Sequence, residues 1–329
     1  MEILRLGTRG SQLALYQANA AKALLEVDPG VRCEIVVIRT SGDRLAEAAL
    51  SAVGGKRLFV KEIEEALLAR SIDLAVHSSK DMPVVLPDGL VIAAALERES
   101  PYDAVVLPGQ PAPSFGSIED LVAHLGRSPR IGTSSVRRTA QLGRLIPGAR
   151  FLPIRGNLDT RLRKLDAGDV DAIVLAAAGL HRLQRATRIS ATLPVAACVP
   201  APGQGIIAVE VREHDGGVHE LARRINDWRS AAALTAERAV VRRLGGGCQM
   251  PIGAYAALTT DARTGPNLDL TAVVISLDGA RAVRANAAGA PADAEALGVR
   301  VAERLLEEGA SDILADAERA HASVEGLQP

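Results

Sequence analysis

The chain has 329 residues, enough for two or three domains of ordinary size and for a substantial hydrophobic core. Its 38 Lys and Arg residues nearly balance its 39 Asp and Glu residues, so the surface as a whole is not built for nucleic acid or anionic lipid. Phe, Trp and Tyr make up only 2% of the residues, which argues against a surface that stacks bases on aromatic rings. Any electrostatic function must be local.

Targeting and metal-binding signals are not evident in the sequence. The segment Met1–Arg5 is not a basic region followed by an apolar stretch, and no apolar run has the length of a membrane helix. Cys33, Cys198 and Cys248 are too widely spaced for a disulfide framework or a zinc ribbon, and the six histidines lack metal-site spacing. We therefore expect a cytoplasmic protein with no membrane partner, no nucleic-acid partner and no metal.

The first part of the sequence alternates β-rich runs with amphipathic stretches, a pattern typical of a parallel sheet covered by helices. The predicted elements, in chain order, are strand Ile3–Leu6, helix Ser11–Val27 with Ser11 as its N-cap, strand Cys33–Thr40, a mobile loop over Ser41–Arg57, helix Leu58–Arg70 and strand Ile72–His77. The last of these strands leads into Ser78-Ser79-Lys80-Asp81. Ligands bind at such strand ends in open α/β sheets, so this loop is the first candidate site.

A second α/β unit is predicted between Asp103 and about Ala197. Its elements are strands Asp103–Leu107 and Arg130–Gly132, helix Val136–Leu145, strand Phe151–Ile154, helix Leu158–Ala167 and strand Ala172–Ala176. After a Pro- and Gly-rich stretch the remaining predicted elements are strand Ile206–Val211, helices Val218–Trp228 and Ala231–Leu244, strands Ile252–Leu258, Leu268–Ser276 and Ala282–Ala287, and helix Ala292–Glu308, with the last dozen residues frayed.

These patterns predict an α/β fold with two doubly wound α/β domains and a small C-terminal α+β domain. Domain 1 is discontinuous, over residues 1–98 and 198–216, domain 2 covers residues 99–197, and domain 3 covers residues 217–329. The chain passes between the first two domains near residues 97–102 and 197–200, so we expect a cleft between them.

Positive charge is concentrated in one segment. Between Arg127 and Lys164 there are ten basic residues and a single acid, Asp159. Four of the cations, Arg144, Arg150, Arg163 and Lys164, are explained as solvated helix faces. The others of interest follow the strand ends Gly132-Thr133-Ser134-Ser135 and Arg155-Gly156-Asn157 and are Arg137, Arg138, Arg155 and Arg161. Guanidinium groups beside N–H groups of helix starts are typical of an anion site.

The anion can be a carboxylate or a phosphate. Arg outnumbers Lys in the cluster, and Arg recognises either group through two parallel hydrogen bonds. The segment Gly54-Gly55-Lys56-Arg57 lacks the spacing of a P-loop, and no GxGxxG motif occurs, so a nucleotide is disfavoured. A polycarboxylate ligand is the preferred interpretation.

Five motifs together carry a resemblance to a known family. In chain order they are Thr8-Arg9-Gly10-Ser11-Gln12-Leu13-Ala14, His77-Ser78-Ser79-Lys80-Asp81-Met82-Pro83, Gly132-Thr133-Ser134-Ser135-Val136-Arg137-Arg138, Arg155-Gly156-Asn157 and Gly246-Gly247-Cys248-Gln249-Met250-Pro251-Ile252-Gly253. The sequence resembles the porphobilinogen deaminase family from residue 3 to about residue 310. The resemblance implies two domains similar to periplasmic binding proteins, and a monomeric transferase of tetrapyrrole (haem and porphyrin) biosynthesis.

The implied reaction joins four porphobilinogen molecules head to tail, releases four ammonia molecules and yields hydroxymethylbilane. The growing pyrrole chain is built on a dipyrromethane cofactor held covalently, with no metal and no nucleotide. The opposing hypothesis is a two-lobed carboxylate-binding protein without catalysis, since fold alone does not decide function. The resemblance favours the enzyme.

Two residues carry the implied chemistry. Loss of ammonia leaves a cationic azafulvene, so catalysis needs a carboxylate beside the pyrrole nitrogen that can also accept a proton, and Asp81 matches that role. From the residues alone, Asp81 could equally be a turn residue before Met82-Pro83. Cys248 follows three glycines and matches the thioether attachment site of the cofactor. Cys33 and Cys198 are interpreted as buried apolar residues.

The resemblance also implies the remaining site residues. Those implied to contact the cofactor are Arg9, Ser11, Lys80, Ser134, Ser135, Arg137, Arg138 and Arg155, and those implied to contact substrate are Arg9, Arg155 and Arg161. Asp43 and Lys56 match a loop over the cleft, where Arg57 departs from the family pattern, as does Ser79 in the second motif. Lys61 is interpreted as a surface charge, His77 as structural, and Gly203 and Gly205 as backbone hinges.

Overall fold

The computed structural model describes residues 2–41, 60–246, 250–261 and 265–325. The strands are β1 (Glu2–Thr8), β2 (Val31–Val37), β3 (Leu74–Ser78), β4 (Leu90–Ala95), β5 (Asp103–Val106), β6 (Arg130–Gly132), β7 (Arg150–Leu152), β8 (Ala172–Ala176), β9 (Ala191–Leu193), β10 (Ile207–Arg212), β11 (Ile252–Asp261), β12 (Gly265–Ile275) and β13 (Ala282–Gly289). The α-helices are α1 (Gln12–Leu25), α2 (Lys61–Leu68), α3 (Ile118–Leu125), α4 (Val136–Leu145), α5 (Leu158–Asp166), α6 (Ala177–Arg182), α7 (Gly216–Arg224), α8 (Trp228–Arg243), α9 (Ala294–Glu307) and α10 (Ala310–Glu325).

The first sheet has the strand order β2-β1-β3-β10-β4. Strand β1 is parallel to both of its neighbours, whereas β10 runs antiparallel to β3 and β4. Helix α1 begins after Ser11, whose hydroxyl accepts a hydrogen bond from the Ala14 backbone N–H at 3.3 Å, as the sequence predicts. Its inner face packs on a core that includes Leu6, Leu74 and Val209.

The second sheet has the order β7-β6-β8-β5-β9, in which β7, β6 and β8 are parallel and β5, like β10 in the first sheet, runs antiparallel to both of its neighbours. The bounds of β6, α4 and β8 are the predicted ones. The chain leaves the first sheet after β4, builds the second sheet and returns as β10. The carboxyl end of β3 leads into the loop that bears Asp81, and the carboxyl end of β6 leads into the motif that ends at Arg138.

The third unit is an antiparallel meander, β11-β12-β13, with α8 and α9 packed on it. Its core includes Val240, Leu270 and Val301. Helix α10 buries Ile313 and Leu314 in that core. Of the last dozen residues, which were expected to be frayed, residues 318–325 continue this helix, and residues 326–329 lie outside the described part of the chain. Two sheet-and-helix units plus a small α+β unit make up the predicted fold class.

Helix α7 packs on the first unit. Val218 and Ala222 are buried in the same core as Leu6 and Val209 of the first sheet. The chain reaches this helix directly from the end of β10, so the covering of that sheet continues past residue 216.

Candidate functional site

The turn that bears Asp81 is built by the end of β3. Residues Ser79–Asp81 form a single 3₁₀ turn, and the Ser79 N–H bonds the Ile206 carbonyl at 3.0 Å, which ties the turn to the segment before β10. The Asp81 side chain is exposed, at the wall of a small cavity of about 70 Å³ that also contacts Arg9 and Ser11 at the start of α1. The first two motifs therefore meet, as parallel strand ends do.

Gln17 and Ser78 line the same cavity and were not identified from the sequence. Gln17 is 2% exposed, and its side-chain amide hydrogen bonds the Ser78 hydroxyl at 2.8 Å. The signal was available, because position 17 lies on the apolar face of α1 with Ala14, Ala18 and Ala21, where a polar residue needs a partner.

Lys80 and Arg161, each partly buried, bring positive charge to this region from opposite units. Burial lowers the pKa of Lys80 to about 8, although neighbouring Asp81 and Asp103 raise it. Burial and the nearby Arg138 lower the pKa of Arg161 to about 10, against the opposing effect of Asp81. Both cations are thus short of negative charge in the protein alone, a state that an anionic ligand relieves.

Arg137 and Arg138 have an internal partner that the sequence did not indicate. Both side chains are buried on the first turn of α4, and each bonds the fully buried carboxylate of Asp103 at 2.7 Å. Arg137 also donates to the Val199 carbonyl at 2.7 Å, and Arg138 donates to the Val174 carbonyl at 2.9 Å. About half of their combined charge is therefore balanced inside the protein.

The starts of α4 and α5 lie beside these cations. Ser135 caps α4 by accepting from the Arg138 backbone N–H, and the Ser134 hydroxyl donates to the Ile154 carbonyl at 2.9 Å. Asn157 caps α5, and the Arg161 Nε donates to the Gly156 carbonyl at 2.9 Å. The hydroxyls of Ser134 and Ser135 thus stabilise the turn before α4. Arg155 lies just before the turn that leads into α5.

Several interpretations of single residues are confirmed. Cys33 and Cys198 are buried free thiols, and burial raises the pKa of Cys198 to about 12. His77 is buried against Glu210, its Nε2 lying 3.1 Å from the carboxylate, but it also lines the Asp81 cavity, so its structural role stays a prediction. Lys61 is an exposed partner of Glu65.

Arg144 behaves differently from a simple solvated charge. Its guanidinium donates to the Gly279 and Ala280 carbonyls of the third unit, at 3.0 and 3.3 Å. Gly205 has a φ of 89°, and a β-carbon there would lie 2.2 Å from the Glu99 carbonyl oxygen, so glycine is required. Asp43, Lys56 and Cys248 lie outside the residues that the structure describes.

Comparison with known proteins decides to which family this site belongs. The family model for the dipyrromethane cofactor-binding domain of porphobilinogen deaminase matches residues 4–220, and that for its C-terminal domain matches residues 231–307. The chain belongs to the porphobilinogen deaminase family. Curated members at 46%, 49% and 45% identity come from Syntrophobacter fumaroxidans, Desulforudis audaxviator and Geobacter metallireducens, over 97%, 94% and 95% of this chain and 99%, 96% and 94% of theirs.

Solved structures match about two thirds of the chain at low sequence identity. The immunogenic lipoprotein A of Vibrio vulnificus matches with a TM-score of 0.42 and 12% identity over 69% of this chain and 96% of its own. The periplasmic VFT2 domain of Bordetella pertussis BvgS matches with a TM-score of 0.39 and 16% identity, over 68% and 86% of the two chains.

The family identifies the chain as a transferase of tetrapyrrole biosynthesis that makes hydroxymethylbilane, with dipyrromethane as its cofactor. The expectation of an enzyme is confirmed over that of a carboxylate-binding protein. No helix in the described ranges is long and apolar enough to cross a bilayer. In the same ranges no cluster of His, Cys, Asp and Glu side chains could hold a metal ion.

The residues present fit a cofactor of this kind. Two linked pyrroles with acetate and propionate side chains carry four carboxylates, and the cleft offers Lys80 and Arg161 with pKa values lowered chiefly by burial. Such desolvated cations gain most from a carboxylate partner, because an opposite charge offsets the cost of burial. The donor set therefore matches the group.

Proposed function

We propose that Asp81 is the catalytic carboxylate of this enzyme. When the protonated amine of porphobilinogen leaves as ammonia, the C–N bond breaks and the ring retains a positive charge shared with its N–H. Asp81, which is itself exposed and lines the cavity, would stabilise that charge. After the next pyrrole forms the new C–C bond, its ring carbon loses a proton, which the same carboxylate would accept.

We propose that Arg9, Lys80, Arg155 and Arg161 bind the acetate and propionate groups of substrate and pyrrole chain. Their positions support this role, since Arg9 lines the Asp81 cavity and Arg161 experiences the charge of Asp81 across the cleft. The observation that carries the proposal is the cavity whose wall brings Arg9 and Ser11 together with Asp81, directly beside Lys80 in sequence. The hydroxyls of Ser11, Ser134 and Ser135 stabilise the turns near these cations through hydrogen bonds to the backbone.

We propose Cys248 as the attachment site of the dipyrromethane cofactor. A thiolate adding to an azafulvene gives a stable thioether, and the three preceding glycines leave room for a bulky group. The bound cofactor supplies a fixed primer from which the first new C–C bond is made. The protein would orient it through Arg137 and Arg138 together with the cations named above.

Elongation then requires movement of the growing chain. The primer and four added units carry twelve carboxylates, two per pyrrole, whereas the proposed cations number six and Asp103 already balances part of the charge on Arg137 and Arg138. The six cations therefore cannot pair with all twelve carboxylates at the same time. We therefore propose that Asp81 is reused while the chain shifts along the cleft, with Asp43 and Lys56 belonging to a covering loop.

The proposed domain division follows sheet membership. Residues 1–98 and those of β10 contribute the first sheet, and residues 99–197 contribute the second, in line with the expected boundaries. We place the end of domain 1 after α7 instead of at residue 216, because Val218 and Ala222 pack on the first sheet.

We further propose that the protein is a monomer that acts on porphobilinogen in the cytoplasm. Its two free, buried thiols, Cys33 and Cys198, fit the reducing conditions of that compartment.

The experiment that tests this function replaces Asp81 by Asn. The substitution keeps the shape and removes both the negative charge and the base, so turnover should fall by at least about 10²-fold. Asp88→Asn is the matched control, because Asp88 is an exposed carboxylate seven residues later in the same segment. Turnover within a factor of a few of the parent in Asp81→Asn, with the dipyrromethane adduct intact by mass, would remove Asp81 from the mechanism.

A further inference from the structure

Asp103 is a buried carboxylate placed among the cations of the cleft. It is the first residue of β5, is 0% exposed, and both oxygens are used: Arg137 bonds one, and Arg138 bonds the other through two nitrogens at 2.7 and 2.9 Å. Gln204 donates to the same carboxylate at 3.0 Å. Burial would raise the pKa of Asp103, but the two guanidinium groups outweigh it and hold the pKa well below its usual range.

The geometry of α4 makes this arrangement specific. Arg137 and Arg138 are consecutive residues, and consecutive side chains on a helix point about 100° apart. Both nevertheless converge on Asp103, which fixes each guanidinium in one orientation. Two of the cations assigned to carboxylate binding are thus oriented by a residue that faces away from solvent.

The same carboxylate acts on the residue next to Asp81. Burial lowers the pKa of Lys80 most; among the charges, Asp81 on its own turn and Asp103 on β5 raise it, and Arg138 and Arg137 on α4 lower it. Asp103 favours the protonated form of Lys80, whereas the two arginines and burial disfavour it. The charge of Lys80 therefore depends on the balance inside the Asp103 cluster.

We propose that Asp103 is a positioning residue of the reaction, which orients Arg137 and Arg138 and, as a fixed counter-charge, keeps Lys80 protonated for carboxylate binding. This inference rests on the proposed function of the cleft. Asp103 itself contacts neither substrate nor reacting atoms. Its effect passes through the cations that bind the substrate's acetate and propionate groups.

The test is the pH dependence of KM for porphobilinogen in Asp103→Asn. With a pKa of about 8, Lys80 is about nine-tenths protonated at pH 7 and half protonated at pH 8, so KM of the parent should rise above that range. Removing the negative charge lowers the Lys80 pKa. The rise in KM should then begin at least about half a pH unit lower, the small end of the effect of a nearby charge, so that KM increases about twofold at pH 8 and by only about a fifth at pH 7, with a smaller change in kcat.

Arg137→Gln should shift the pH at which KM rises in the opposite direction. It also tests the inference if Asp103→Asn does not fold. It removes a positive charge facing Lys80, so the rise in KM should move to higher pH. The matched control is Glu237→Gln, which changes another fully buried, Arg-paired carboxylate in α8. That variant should lose stability and leave the pH at which KM rises unchanged.

Three results would overturn the inference. They are an unchanged KM profile in Asp103→Asn, the absence of an upward shift in Arg137→Gln, and the same shift in Glu237→Gln as in Asp103→Asn. Failure of the proposed function is distinguishable, because it would appear as normal turnover of Asp81→Asn. If Asp81→Asn is inactive and the pH profiles do not move, only the role of Asp103 is wrong.

Discussion

Glu237 offers a measurable test of how the third unit is joined to the first. Its carboxylate is fully buried in α8 and accepts from the Gly203 N–H at 2.6 Å, the Ala256 N–H at 2.8 Å and the Arg98 guanidinium at 2.6 Å. These donors belong to the segment before β10, to β11 and to the segment after β4. Arg98 also donates to the Gln204 carbonyl at 2.8 Å and lies over the Tyr255 ring.

Replacing Glu237 by Gln keeps the shape but removes the charge and one acceptor. The Arg98 cation then stays buried with only carbonyl partners and the Tyr255 ring, and a backbone N–H loses its acceptor. Breaking a buried ion pair on one side costs about 3–5 kcal/mol. At about 2 °C per kcal/mol for a chain of this size, the melting temperature should fall by roughly 6–10 °C.

The assay is thermal unfolding followed by circular dichroism in the far ultraviolet. The matched control is Glu303→Gln, because Glu303 pairs with Arg243 at 3.7 Å while both side chains are about half exposed, and such surface pairs contribute little. Its melting temperature should stay within about 2 °C of the parent. If Glu237→Gln also melts within that margin, the junction described here does not hold the units together.

The remaining predictions concern the cofactor, the cations that bind the pyrrole chain, and Gly205 in the segment before β10. Cys248→Ser should lack the dipyrromethane adduct in its intact mass, because an alkoxide forms far less readily than a thiolate; a normal adduct mass contradicts the assignment. Arg155→Leu and Arg161→Leu should stall at different numbers of added pyrroles in native mass spectra after brief exposure to porphobilinogen, with exposed Arg163→Leu as the control. Intermediate distributions equal to the parent's would leave no role for these cations in elongation. Gly205→Ala should lower the free energy of unfolding in urea by about 2 kcal/mol or more, because alanine at positive φ is strained and collides with the Glu99 carbonyl; an unchanged midpoint contradicts this.

Sequence patterns located the helices and strands that are both periodic and well bounded. Helix α4 was predicted with its observed bounds because Ser135 provides an N-cap and a strand precedes it closely. Strand β4 was missed, since Leu90–Ala95 is a continuous apolar and alanine run with no alternation. Helix α10 was missed for the opposite reason, because its sequence is polar and its buried face is small.

The site was predictable to the extent that it lies at strand ends. Asp81, Lys80 and the motif after β6 follow strands directly, and strands of parallel sheets end at a common edge. The partnership of Asp103 with Arg137 and Arg138 was not predictable, because it joins residues 34 and 35 positions apart through tertiary packing. An aspartate at the start of a strand gives no local sign of its partner.

The position of β10 has a consequence for how the molecule is made. This strand lies between β3 and β4, yet it is synthesised only after the whole of the second sheet. During translation the first sheet therefore has a gap at an inner position, and Val76 and Ala94 lack their neighbour Val209. The second unit has all its strands by residue 193 and can close first. The amino-terminal part of the chain is thus the later one to fold, and a nascent chain halted before residue 207 should expose an unpaired β3 edge to chaperones.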